Sequence, residues 1–173
     1  QLALAAKADT SPAPAQPAEA QADVSIDPDM LTGGDAAAGR RAFFHAAGAG
    51  CWRCHTVNGR GGSIGPDLSR IGAMLDRKRL AQSILDPARE VAPQFTVWTF
   101  LLESGQTHTG VLVGDVRDSV QKIGTPDGKV LSLKADEIEE RVLQRTSLMP
   151  ARLKTLLTDG ELKDLLAYLS SLR

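Results

Sequence analysis

Two cysteines, Cys51 and Cys54, stand three positions apart with His55 immediately after them, and the 173-residue chain has no other cysteine. Residues three apart on a helical turn share one face, so both thiols can reach one bound object while the next side chain projects toward its centre. A single pair cannot make a multi-bridge disulfide framework, and without a second pair it cannot complete a zinc site of the usual kind. The fold must therefore present Cys51-Trp52-Arg53-Cys54-His55 for local chemistry.

The spacing Cys-x-x-Cys-His is that of covalent c-type haem attachment, in which two thiols add across the vinyl groups of the macrocycle and the adjacent imidazole binds iron. Three other readings compete with it. A thioredoxin-like redox pair expects a βαβ setting, which the flanking sequence lacks. A zinc site would have to recruit His45 or His108, and coincidence is the last alternative. The reading adopted is one covalent haem c with its iron, on Cys51, Cys54 and His55.

Charge narrows the partners. A formal net charge of -1 offers no basic surface for nucleic acid. No stretch approaches the roughly 20 apolar residues needed to cross a bilayer. Residues 1–34 are rich in Ala, Pro, Gln and Asp and lack apolar periodicity, which reads as a flexible tether. The chain starts at Gln1 rather than Met, and Leu2-Ala3-Leu4-Ala5-Ala6 is either the tail of a signal peptide or linker. Such a tether implies a missing N-terminal anchor, a fused domain or a truncation point.

Residues 35–173 carry the folded pattern. Asp35 caps a first helix through Gly39, Phe43 and Phe44 to about Ala47, ahead of the cysteines. A glycine-rich loop from Gly59 to Gly65 follows, then a helix from Arg77 to Leu85 that Asp86-Pro87 ends. From about 94 to 146 the period changes. Phe95 to Leu102, Val111 to Val113, Val120 to Ile123 and Val130 to Leu133 read as strands of a small antiparallel meander, with Asp127-Gly128 predicting a tight two-residue hairpin turn. Thr158-Asp159-Gly160-Glu161 opens a last helix with Leu162, Leu165, Leu166, Leu169 and Leu172 at helical spacing. Its partner is predicted to be the first helix, with Gly39 allowing a close crossing and Phe43 meeting Tyr168 and Leu165.

In this order, Gly39 to Phe44, Cys51 to His55, Gly65-Pro66-Asp67-Leu68, Met149-Pro150 and the Glu161 to Leu172 helix resemble a class I c-type cytochrome. Gly65 to Gly72, Ser83-Ile84-Leu85-Asp86-Pro87 and the inserted meander resemble more narrowly the planctomycete-type haem-binding domain, often found behind a sugar-dehydrogenase-like propeller. The resemblance implies a mainly α cytochrome c fold with an inserted small antiparallel β meander. It implies that the Pro66 carbonyl accepts from the His55 ring, that Leu68 packs on the haem and that Met149 is the second iron ligand. Met30, Met74, His45 and His108 are rival ligands, and Lys154 a replacement at high pH. Arg53, Arg70, Arg77 and Lys78 are candidate propionate or partner contacts.

A His and Met pair leaves iron no open position, which suits electron transfer. The expectation is a non-enzymatic, mono-haem cytochrome, periplasmic or otherwise extracytoplasmic, carrying electrons between a dehydrogenase and downstream acceptors. Two rivals remain: a haem sensor or peroxidase-like protein with a displaceable Met149, and a haem-stapled interaction domain. The long chain between His55 and Met149 is no obstacle, because loop closure costs only about 0.6 kcal/mol per doubling of length.

Overall fold

The computed structural model describes residues 25–45, 49–114, 119–151 and 153–173. A helical part and a β part share the chain. In the helical part, α1 (Ala36–Phe44) begins where the Asp35 carboxylate accepts from the Ala37 N–H. α2 (Ile71–Met74) is one turn, and α3 (Arg77–Leu85) starts at Asp76, which accepts from the Arg79 N–H. α4 (Leu153–Leu156) is again one turn. α5 (Asp159–Ser171) starts with a reciprocal cap, Thr158 accepting from the Glu161 N–H while the Glu161 carboxylate accepts from the Thr158 N–H.

α1 crosses α5 at Gly39, where an added Cβ would stand 1.9 Å from the Asp164 carbonyl oxygen. Phe43 meets Tyr168 edge-on at 5.8 Å between ring centroids. Leu162, Leu165, Leu166 and Leu169 are buried between α1 and α3, each worth roughly 1.5–3 kcal/mol when taken fully out of water. This crossing is the one the sequence led us to expect.

Residues 1–24 of the expected tether, and residues 46–48 at the end of the expected first helix, lie outside the described residues. Residues 25–34, also assigned to the tether, are held to the helical part. Pro28–Leu31 forms a 3-10 turn, Lys163 pairs with Asp29 at 2.8 Å, and Met30 and Leu31 pack on the core.

The mainly α expectation is overturned. Among the described residues 36% are helix and 24% strand, with a five-stranded and a two-stranded sheet. Glycine- and proline-rich loops keep every described helix but α5 to nine residues or fewer, while the insertion is built almost entirely of strands. The two-stranded sheet is a hairpin of β1 (Thr56–Val57) and β2 (Arg60–Gly61), in what sequence reading treated as a plain loop. Asn58 (φ 50°) and Gly59 (φ 74°) form its two-residue turn.

The larger sheet contains β3 (Val97–Leu102), β4 (Thr107–Leu112), β5 (Val120–Gly124), β6 (Val130–Lys134) and β7 (Ile138–Gln144), in the order β6-β5-β4-β3-β7 and antiparallel throughout. The first four form the expected meander. β7, which sequence reading did not assign, returns to pair with β3.

β6 and β7 lie on opposite edges yet are joined only by the 3-10 turn Ala135–Glu137. In a flat sheet those edges would be about 19 Å apart at the usual strand spacing, whereas a 3-10 turn advances about 2 Å per residue. The sheet must curl, and Phe100, Leu102, Ile123 and Leu133 fill its inside with Trp98, Leu112, Leu131 and Ile138 beside them.

The Asp127-Gly128 turn is not the tight two-residue loop predicted from sequence. The Gly128 N–H donates to the Thr125 carbonyl and the Thr125 N–H to the Lys129 carbonyl, with positive φ at Gly128 (81°) and not at Asp127. It is a three-residue loop closed by a glycine bulge, and Leu102–Gln106 repeats the pattern with Gly105 at φ 81°.

Candidate functional site

The Cys51–Arg53 3-10 turn opens from Gly50 in the left-handed region (φ 65°) and carries the pentapeptide into β1. The next loop is sewn back onto it. The Gly62, Gly65 and Leu68 N–H groups donate to the carbonyls of Trp52, Cys54 and Thr56 at 2.7, 2.8 and 2.8 Å. Glycine is required at two of these approaches: a Cβ on Gly62 would stand 2.0 Å from the Arg53 carbonyl oxygen, and one on Gly65 would stand 2.7 Å from Cε1 of His55.

The same loop fixes the imidazole. His55 Nδ1 is 2.9 Å from the Pro66 carbonyl oxygen; a carbonyl only accepts, so Nδ1 carries the proton and Nε2 is left with its lone pair. Burial pushes the His55 pKa down against the smaller upward pull of the Pro66 bond, which keeps the ring neutral. A neutral, oriented imidazole is the form that binds a metal.

Cys51 and Cys54 form no disulfide, and both thiols are raised in pKa. Burial pushes Cys51 up to about 11, and burial is also the main cause at Cys54. An attacking redox cysteine needs the opposite shift, so the direction at both thiols does not favour a thioredoxin-like pair. The zinc reading loses its ligands: among the described residues no group of three or more His, Cys, Asp or Glu is placed to hold a metal ion. His45 ends α1 near Glu161, and His108 sits in β4 opposite Phe100.

Cys51, Cys54 and His55 open onto a cavity of about 390 Å³, which Pro66, Leu68 and Met149 also line. Leu75, Leu80, Ile84 and Leu153 extend its apolar wall. Of the three methionines, Met149 alone reaches it; Met74 is 74% exposed, and Met30 packs on the helical core with its carbonyl accepting from Arg77. Arg53, Arg70, Arg77 and Lys78 do not line the cavity. Arg77 is spent on the carbonyls of Met30 and Lys163 at 3.1 and 2.9 Å. The Lys154 side chain lies outside the described residues.

Sequence reading missed two parts of the wall. Ile64, Val111 and Leu148 come from the sheet and the segments packed on it, and Glu90, Val91 and Phe95 from the loop after α3. Glu90 is the one carboxylate among the lining residues and accepts from Arg79 at 2.9 Å. The β-branched Thr107, Thr109 and Val111 of β4 mark a strand, but nothing in them says which of two cores Val111 faces.

An apolar cavity of this size suits a planar organic cofactor, and two thiols beside a neutral imidazole suit haem c. Residues 36–99 match the family model of cytochrome c. The match spans α1, the pentapeptide, the Gly65–Leu68 loop, α3 and the start of β3. It supports a c-type cytochrome, a haem-binding electron-transfer protein whose cofactor is covalently held haem c with iron. A search of curated proteins returned no match. Cytochromes of this type are typically extracytoplasmic, and no helix among the described residues is long and apolar enough to cross a membrane.

Proposed function

We propose that the chain is a mono-haem c-type cytochrome of the planctomycete-type subclass, with Cys51 and Cys54 forming the thioether bonds and His55 and Met149 binding the iron. The observation that carries this reading is the meeting of Met149, far along the chain, with Cys51, Cys54 and His55 on one apolar cavity. Haem bound there supplies reversible one-electron chemistry at iron.

The chain's own residues do the rest. Pro66 holds the proton on Nδ1 of His55 and so reserves Nε2 for the metal. Leu68 would pack against the haem, and with Ile64, Val111 and Leu153 it gives the cavity an apolar lining that disfavours water. Met149 would offer haem iron a soft, neutral sulfur as its second protein ligand. A closed, rigid site reorganises little between oxidation states, which suits transfer between docked proteins. The donor we infer is a periplasmic dehydrogenase of the sugar-dehydrogenase-like class, with electrons passed on to downstream acceptors.

Absorption spectra of the purified protein, oxidised and reduced, with and without carbon monoxide, test the assignment. The expected result is a low-spin haem with a thioether-to-iron band and no response to carbon monoxide. In Met149→Ala the band should vanish and carbon monoxide should bind. A readily ligated haem in the unaltered protein would instead favour the sensor or peroxidase-like reading.

A further inference from the structure

The sheet touches both sides of the cavity. On the His55 side, Gly124 of β5 lies against Ile64, where an added Cβ would stand 2.6 Å from Cγ2, and Gly128 lies against the Arg53 side chain. Ile64 directly precedes Gly65, whose bare α-carbon rests on the His55 ring. On the Met149 side, β7 ends at Gln144, opposite Val97 of β3, and the chain runs straight on to Met149. In that short stretch Ser147 Oγ accepts from the Met149 N–H at 3.2 Å. Leu148 packs against the cluster formed by Ile64, Val97 and Val111, which are 4%, 1% and 2% exposed.

One small cluster thus joins the segment bearing His55 to the segment bearing Met149, and two of its members belong to the inserted sheet. We propose that the sheet acts as a caliper across the cavity and that Leu148, seated on Val97, Val111 and Ile64, is the positioning residue for Met149. This rests on the reading of Met149 as an iron ligand. Methionine is a flexible side chain with a weakly donating sulfur, so its hold on a metal depends on the backbone that presents it. Leu148 supplies that hold one residue away, from a side chain anchored in the sheet.

The test uses haem-loaded protein and four substitutions, with Met149→Ala as reference. Leu148→Ala should lose or weaken the thioether-to-iron band, admit carbon monoxide to the reduced protein and lower the reduction potential, while Leu148→Ile should restore the band. Val111→Ala, on the sheet side of the same contact, should move the same readouts in the same direction. Leu143→Ala, on β7 but 46% exposed, should leave all three unchanged.

If Met149→Ala leaves the band intact, the ligand assignment has failed. If Met149→Ala abolishes it while Leu148→Ala and Val111→Ala keep it, the ligand assignment stands and the caliper is refuted. Should Leu148→Ala not fold, Val111→Ala decides with the same spectra.

Discussion

Gly65 lies directly against the His55 ring. Its missing side chain lets the loop lie flat on the His55 imidazole while its N–H holds the Cys54 carbonyl. Gly65→Ala should destabilise the protein by about 1–3 kcal/mol, the usual range for one methyl group too many in a packed place. The ring would have to turn, so the axial ligation spectrum should change along with the melting temperature. A lower melting temperature with an unaltered spectrum would mean that the loop yields instead of the imidazole. At this scale the pentapeptide was legible because its chemistry is local. Ile64, Val111 and Leu148 were not, since an apolar residue looks the same in sequence whichever core it enters.

Between elements, the α1–α5 crossing concentrates the helical part on one glycine. A methyl group at Gly39 would collide with backbone, the Asp164 carbonyl, which cannot rotate aside. Gly39→Ala should therefore push the helices apart and cost at least about 1–3 kcal/mol, read as a lower denaturation midpoint in urea. The sequence foretold this contact, because a leucine stripe needs a partner and Gly39 marked one. It also foretold α3 and α5, whose caps Asp76 and Thr158 stand beside clean helical spacing. β7 escaped because Glu139-Glu140-Arg141 interrupts any alternation, as suits an edge strand exposed along most of its length. β1 and β2 escaped because two residues each carry no period, although Asn58-Gly59 was a usable signal for their turn.

At the scale of the whole molecule, the described residues form three apolar clusters: one among the helices, one inside the curled sheet and a small one that draws on both the site and the sheet. The last shares Cys54 and Ile64 with the site and Val97 and Val111 with the sheet. Helices and sheet are thereby coupled, and the protein should unfold as one cooperative unit. Amide hydrogen exchange at Val97 and Val111 should report the same opening free energy as at Leu166 of α5. Earlier opening of the strands would show a separately melting module. The overall class was misread for a related reason, since strand spacing announced an insertion but not how much of the chain it would claim.

The pairing of Val97 with Gln144 has a last consequence. The chain enters the sheet and leaves it on neighbouring strands, only about 5 Å apart between opposed α-carbons. A short turn could bridge those two ends in place of the whole unit without displacing the helices on either side, because a segment whose two ends adjoin leaves its host's geometry intact. Cutting the unit out at that point would also remove Val97 and Val111 from beneath Leu148, so the splice that spares the helices does not spare the segment bearing Met149.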